Sequence, residues 1–90
     1  MKTYKVHYLR PMLMRDSYFM EPMHSDETHD EVAVVKADGL EQLFRFMNVV
    51  DGSEIEVPLK LNIRSMSVGD VAEDENGKKF FCASIGWKEL

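Results

Sequence analysis

Ninety residues carry eleven Lys and Arg against sixteen Asp and Glu, a net charge of -5, with 44% hydrophobic and 30% charged side chains. A chain of this size and balance has enough apolar surface for one core, so residues 1–90 read as a single folded domain rather than a disordered or two-domain chain. No run approaches the ~20 apolar residues that cross a bilayer, the N-terminus lacks the apolar core of a secretory signal, and Cys82 is the only cysteine. A cytoplasmic, reducing address with no membrane attachment, disulfide or cysteine-based zinc site is the expectation.

In Lys2 to Arg10, Tyr4, Val6 and Tyr8 alternate with Lys5 and His7, the period-two pattern of a half-buried strand. Pro11 removes a backbone donor and ends or bends that strand. From Met12 to Met23 the apolar residues Met12, Leu13, Met14, Tyr18, Phe19, Met20 and Met23 fit neither the helical nor the strand period, leaving a second strand or a structured loop as the two readings. His24 to Asp30 contains no large apolar residue and reads as an exposed loop. Glu31 to Ala37, with Val32, Ala33, Val34 and Val35 apolar on both sides, has the composition of a central strand.

Asp38 followed three residues later by Glu41 resembles a capping box. Leu40, Leu43, Phe44, Met47 and Val50 then fall at helical spacing, so one main helix is predicted over about residues 39–50. Asp51-Gly52 stops it, and Ser53 to Leu61, interrupted by Pro58, reads as a loop with some extended character. Val68 to Glu73 and Lys79 to Ser84 flank an Asn76-Gly77 dipeptide, the signature of a β-hairpin, because both positions tolerate positive φ. The fold class is therefore α+β: a small antiparallel sheet of about four to five strands, packed by one helix and ending in a C-terminal hairpin.

Candidate chemistry is sparse. His24 and His29 lie among Asp26, Glu27, Asp30 and Glu31, all of types that ligate divalent metals, but the spacing matches no metal motif of defined geometry, and a solvated acidic loop explains it. Cys82, in Phe80-Phe81-Cys82-Ala83, has no neighbouring base in sequence and reads as a small core residue. The five glycines are scattered, so no phosphate loop is present, and Lys and Arg do not interleave with aromatics as direct nucleic-acid binding requires. No catalytic residue, metal ligand or cofactor is assigned.

Two features point to contact with a partner. Met12, Met14, Met20 and Met23, with Tyr18 and Phe19, form a cluster whose thioethers adapt to another surface or equally fill the core. From Asp16 to Val35 there are six acidic residues and no Lys or Arg, so Asp26, Glu27, Asp30 and Glu31 present a negative surface suited to a basic partner or simply to solubility.

The helix Leu40-Glu41-Gln42-Leu43-Phe44-Arg45-Phe46-Met47-Asn48, the segment Arg64-Ser65-Met66-Ser67-Val68-Gly69-Asp70-Val71 and the run Phe81-Cys82-Ala83-Ser84-Ile85-Gly86-Trp87 resemble the YodL-like domain family of phage, plasmid and other mobile-element proteins. In that family an Arg-Ser-(Leu or Met)-Ser-Val-x-Asp-Val segment precedes a hairpin ending in aromatic-x-x-Ser-x-Gly-aromatic. Gly69 stands here where Ser is more usual, and Trp87 where Phe is common. The likeness covers a little over half of the chain, about residues 40–90. It implies a mobile-element setting and a protein-binding role, with no established enzymatic activity and no catalytic residue to carry over.

These readings lead to a small non-catalytic protein-binding module that modulates a host protein, contacting it through Met12, Met14, Tyr18, Phe19, Met20, Asp26, Glu27, Asp30 and Glu31. One alternative is an inhibitor of a host defence complex, of anti-CRISPR or anti-restriction type, whose acidic surface stands in for phosphates. A second is a metal-binding protein or enzyme built on the His24 and His29 region. Self-association through an edge strand stays open.

Overall fold

The computed structural model describes residues 2–48, 55–58 and 66–90. Strands β1 (Lys2–Leu9), β2 (His29–Ala37), β3 (Ile55–Pro58), β4 (Val71–Glu73), β5 (Lys79–Cys82) and β6 (Trp87–Glu89) form one sheet in the order β3-β2-β1-β4-β5-β6. Every pairing is antiparallel. A 3-10 helix, Pro11–Phe19, joins β1 to β2, and α1, Leu40–Asn48, follows β2. The fold is thus the α+β class read from sequence. The sheet reaches six strands because Ile55–Pro58, in the segment expected to be a loop with some extended character, pairs with β2 and Trp87–Glu89 pairs with the outer side of the expected hairpin.

One face of the sheet packs against α1. Tyr4, Val6 and Tyr8 of β1, Val32, Ala33, Val35 and Ala37 of β2, and Ala72 of β4 meet Leu43 and Met47 from the helix and Met66 from the chain before β4. Each large side chain buried here stabilises the fold by about 1.5–3 kcal/mol. Small residues at 33, 37 and 72 let the helix approach the sheet. The helix begins one residue later than the capping pair Asp38 and Glu41 suggests: the Asp38 backbone N–H donates to Gln42 Oε1 at 2.7 Å, and the Leu43 N–H donates to the Gly39 carbonyl at 2.9 Å. Gln42 therefore takes the reciprocal role expected of Glu41. Val50 and the Ser53–Leu61 segment, apart from β3, lie outside the described residues.

The register between β1 and β2 shifts between Val6 and His7: Val6 pairs with Ala33 and His7 with Glu31. Val32 is the extra residue of a β-bulge. Because side chains alternate along a strand, one extra residue inverts the facing of everything before it. Val32 and Ala33 are accordingly both buried in the helix-side core, and His29, opposite Leu9, turns to the other face.

That second face is covered by the 3-10 helix. The Met12–Met23 segment is therefore neither a strand nor a plain loop over its first part. Pro11 occupies the first helical turn after an extended Arg10 (φ -61, ψ 141), and Leu13 N–H donates to the Arg10 carbonyl at 2.9 Å. A 3-10 helix repeats every three residues, which aligns Met14, Ser17 and Met20 and explains why no period of 3.6 or 2 was legible. Ser17 is buried there. Beneath it lie Leu9, Val71 and Phe81, all fully buried.

Candidate functional site

The second face gathers a cluster of polar side chains from separate segments of the chain. His7 from β1, His24 from the segment after the 3-10 helix and His29 from β2 are all three histidines of the sequence, and they gather into one cluster. The His7 and His24 rings meet edge to face with centroids 4.5 Å apart, and His24 and His29 lie 5.3 Å apart. Glu73 on β4 reaches His7 Nε2 at 3.1 Å. The expectation that His24 to Asp30 is an exposed loop is corrected here: His29 is only 4% exposed and begins β2, while His24 is half-buried. The cause is the bulge at Val32, which places His29 beside His7.

His29 is held at both ring nitrogens. Nε2 lies 2.7 Å from the Gly69 carbonyl, which accepts only, so Nε2 carries the proton and donates. Nδ1 lies 2.7 Å from Thr28 Oγ1 and in the neutral ring accepts the hydroxyl proton. Thr28 is itself fixed by a tight turn in which its Oγ1 accepts from the Ser25 N–H at 3.1 Å and its own N–H donates to Ser25 Oγ at 3.2 Å. Burial lowers the pKa of His29 below its ordinary value. His24 is lowered further, to about 4, first by burial and then by the positive potential of His7, Lys79 and His29, with Glu73 acting in the opposite sense. At neutral pH His24 is therefore an uncharged ring packed between two others. Among the described residues, no group of three or more His, Cys, Asp and Glu side chains is arranged to hold a metal ion.

Next to this cluster, Asp70 is fully buried between β1 and the chain entering β4. Its Oδ1 accepts the Leu9 N–H at 2.8 Å and its Oδ2 the Ser67 N–H at 2.8 Å. The neighbouring Gly69 has φ +98, and a Cβ there would stand 2.7 Å from Leu9 Cδ2 and 3.3 Å from Ser17 Cβ. A side chain at this position does not fit this backbone and this packing. Cys82 is buried beside them, and burial, with the Asp70 charge second, pushes its thiol up to about 11, far from a thiolate at neutral pH.

The surface singled out from sequence lies on the 3-10 strap and the turn that follows it. Met12 is 82% exposed and Met23 40%, whereas Met14 and Met20 are half-buried. The methionine segment thus divides, with one side anchoring the strap to the sheet and the other facing solvent. The side chains of Tyr18 and Phe19 lie outside the described residues. Asp26, Glu27 and Glu31 are exposed. Asp30 is half-buried, and Arg10 pairs with it at 3.5 Å while donating to the Asp26 carbonyl at 2.7 Å. Arg10 is the cation that fixes the acidic turn to the end of β1, a role the sequence did not reveal because the two lie sixteen residues apart. Met23 and His24 also wall an open depression of about 650 Å³ with Pro22, Lys79, Glu89 and Leu90.

No helix among the described residues is long and apolar enough to cross a membrane. Comparison with protein-family models, with curated proteins and with solved structures finds no match to the chain.

Proposed function

We propose that this chain is a small non-catalytic protein-binding module of a mobile genetic element, acting in the host cytoplasm on a host protein through the outer side of the 3-10 strap and the acidic turn behind it. The observation that carries the reading is Met12, 82% exposed on an ordered element with Asp26, Glu27 and Glu31 exposed on the following turn. A flexible thioether beside a negative rim is the composition of an adaptable contact surface for a partially basic partner. On the strap-covered face His7 bonds to Glu73, and His29 to Thr28 and the Gly69 carbonyl, a positioning role that supports contact over catalysis. A photo-crosslinking side chain placed at position 12 should capture a discrete host protein, and Met12→Asp should abolish its co-purification while the fold stays intact. Capture that is unaffected by Met12→Asp, or crosslinks spread over unrelated proteins, sinks the reading.

A second reading, inhibition of a host defence complex with carboxylates in place of nucleic-acid phosphates, is favoured by the same exposed acids, of which Arg10 neutralises only part. Replacing Asp26, Glu27, Asp30 and Glu31 by their amides should remove both the inhibition and its dependence on ionic strength. Unchanged inhibition would eliminate it.

A further inference from the structure

The opposite face of the sheet offers a different site. Phe44 on α1 and Trp87 on β6 stand nearly perpendicular, at 85°, with ring centroids 6.4 Å apart. Together with Glu41, Cys82, Ser84 and Gly86 they line a cleft of about 310 Å³. Phe44 is 37% exposed, Trp87 is half-buried and Glu41 is exposed. Glu41 makes no ion pair among the described residues. Two aromatic rings set at right angles beside an uncommitted carboxylate form the arrangement that attracts an organic cation, the rings through their negative faces and the carboxylate by direct pairing.

The cleft lies beside the outer edge of β6, with which no strand pairs among the described residues. β6 is the last strand in the order, and its bonds to β5 come from alternate residues: the Gly86 carbonyl accepts from Ala83 N–H and the Leu90 N–H donates to Lys79. Backbone groups alternate in direction along a strand, so Trp87 and Glu89, the intervening residues, direct their N–H and C=O outward from the sheet. A further strand pairing there places the residue opposite Trp87 on the Trp87 face, over the cleft. The net charge of -5 and the carboxylate of Glu41 in the cleft wall favour a basic occupant; Glu89, further along β6, already pairs with Lys78 at 3.9 Å.

We infer that β6 is a docking edge for an extended segment of a partner protein, which adds as a strand along Trp87–Glu89 and lays a Lys or Arg side chain into the cleft against Phe44, Trp87 and Glu41. This surface is distinct from the 3-10 strap, which covers the opposite face, so either can fail without the other.

Trp87 is the only tryptophan, and its fluorescence reads the site directly. The full chain is titrated with acetyl-Thr-Val-Lys-Val-Thr-amide, with the same peptide carrying norleucine for Lys, and with a Lys peptide N-methylated at alternate residues so that it cannot pair as a strand. The Lys peptide should shift Trp87 emission saturably and move the Trp87 and Glu89 amide resonances. The norleucine peptide should bind about tenfold more weakly, and Glu41→Gln should weaken the Lys peptide about three- to tenfold. The N-methylated peptide should not bind. The inference is overturned by equal binding of Lys and norleucine peptides, by indifference to Glu41→Gln, by undiminished binding of the N-methylated peptide, or by no response to any of them. A concentration-dependent dimer that protects the Trp87 and Glu89 amides also overturns it, by assigning the edge to a second copy of the chain.

Discussion

The backbone N–H of Leu9 donates to the Asp70 carboxylate at 2.8 Å across the sheet, deep in the second core. A buried carboxylate is tolerated only when its oxygens are hydrogen-bonded, and here Leu9 and Ser67 each supply one donor. Asp70→Ala leaves two backbone donors without that acceptor. The expected loss is about 3–5 kcal/mol, measured by urea unfolding. Asp70→Asn keeps one acceptor and should lose roughly half as much; equal stability of all three proteins would show that these bonds are not structural.

Gly69 faces a different constraint, positive φ combined with a close approach. Gly69→Ala should cost about 2–4 kcal/mol, part from the left-handed backbone and part from contact with Leu9 Cδ2. The two parts separate in a double-mutant cycle with Leu9→Ala, because truncating Leu9 removes the contact but leaves the φ penalty. A Gly69→Ala cost that is the same in both backgrounds would assign the whole effect to backbone strain.

His24 makes stability depend on pH. Its folded pKa, about 4, lies below the ordinary 6.5, so the unfolded chain binds the proton more readily. The stability that follows is complete above about pH 6.5 and declines as pH falls through 4. Because His24 is partly open to solvent, the contribution is on the order of 1–2 kcal/mol. Chemical unfolding of the wild type and of His24→Phe at pH 7 and pH 4 should show a smaller acid-induced loss in the variant. Parallel losses in the two proteins would place the acid sensitivity elsewhere.

The two cores can be weighed separately. Leu43→Ala on the helix side should destabilise by about 2–5 kcal/mol and Phe81→Ala on the strap side by about 3–5 kcal/mol. Met12→Ser, at an exposed position, should stay within about 0.5 kcal/mol of the wild type. A large cost at Met12 would mean that it packs in solution, and would remove the basis of the proposed contact surface.

Much of the architecture was legible because it rests on local pattern. The alternation of Tyr4, Val6 and Tyr8, the stripe of Leu40, Leu43 and Met47, and the Asn76-Gly77 turn each report a nearest-neighbour preference. The turn closes with Gly77 at φ +81 and Asp74 Oδ1 accepting from Asn76 and Lys78 N–H. The 3-10 helix escaped because its three-residue repeat matches neither common period. The histidine cluster escaped for a topological reason. His7 looked solvent-facing by alternation, which it would be if the strap did not cover that face, and His29 joins it only through a bulge that no residue type announces. Of the contact residues read from sequence, Met12, Asp26, Glu27 and Glu31 reach solvent, whereas Met14 and Met20 face partly inward, a division set by the turn of the strap rather than by residue type.

The strand order has a kinetic consequence. β1, the first strand made, lies between β2 and β4, so its second edge stays open until distant chain arrives. His7 meets Glu73 from 66 positions away and Leu9 meets Asp70 from 61. β4, β5 and β6 can pair locally with one another, and β1 with β2, before those two groups are joined. The seam is narrow, three residue pairs long, and folding should be limited by its closure. Mutations at Asp70 or Gly69 would then slow folding more than they speed unfolding if the seam is formed in the transition state, and would do the reverse if it closes afterwards.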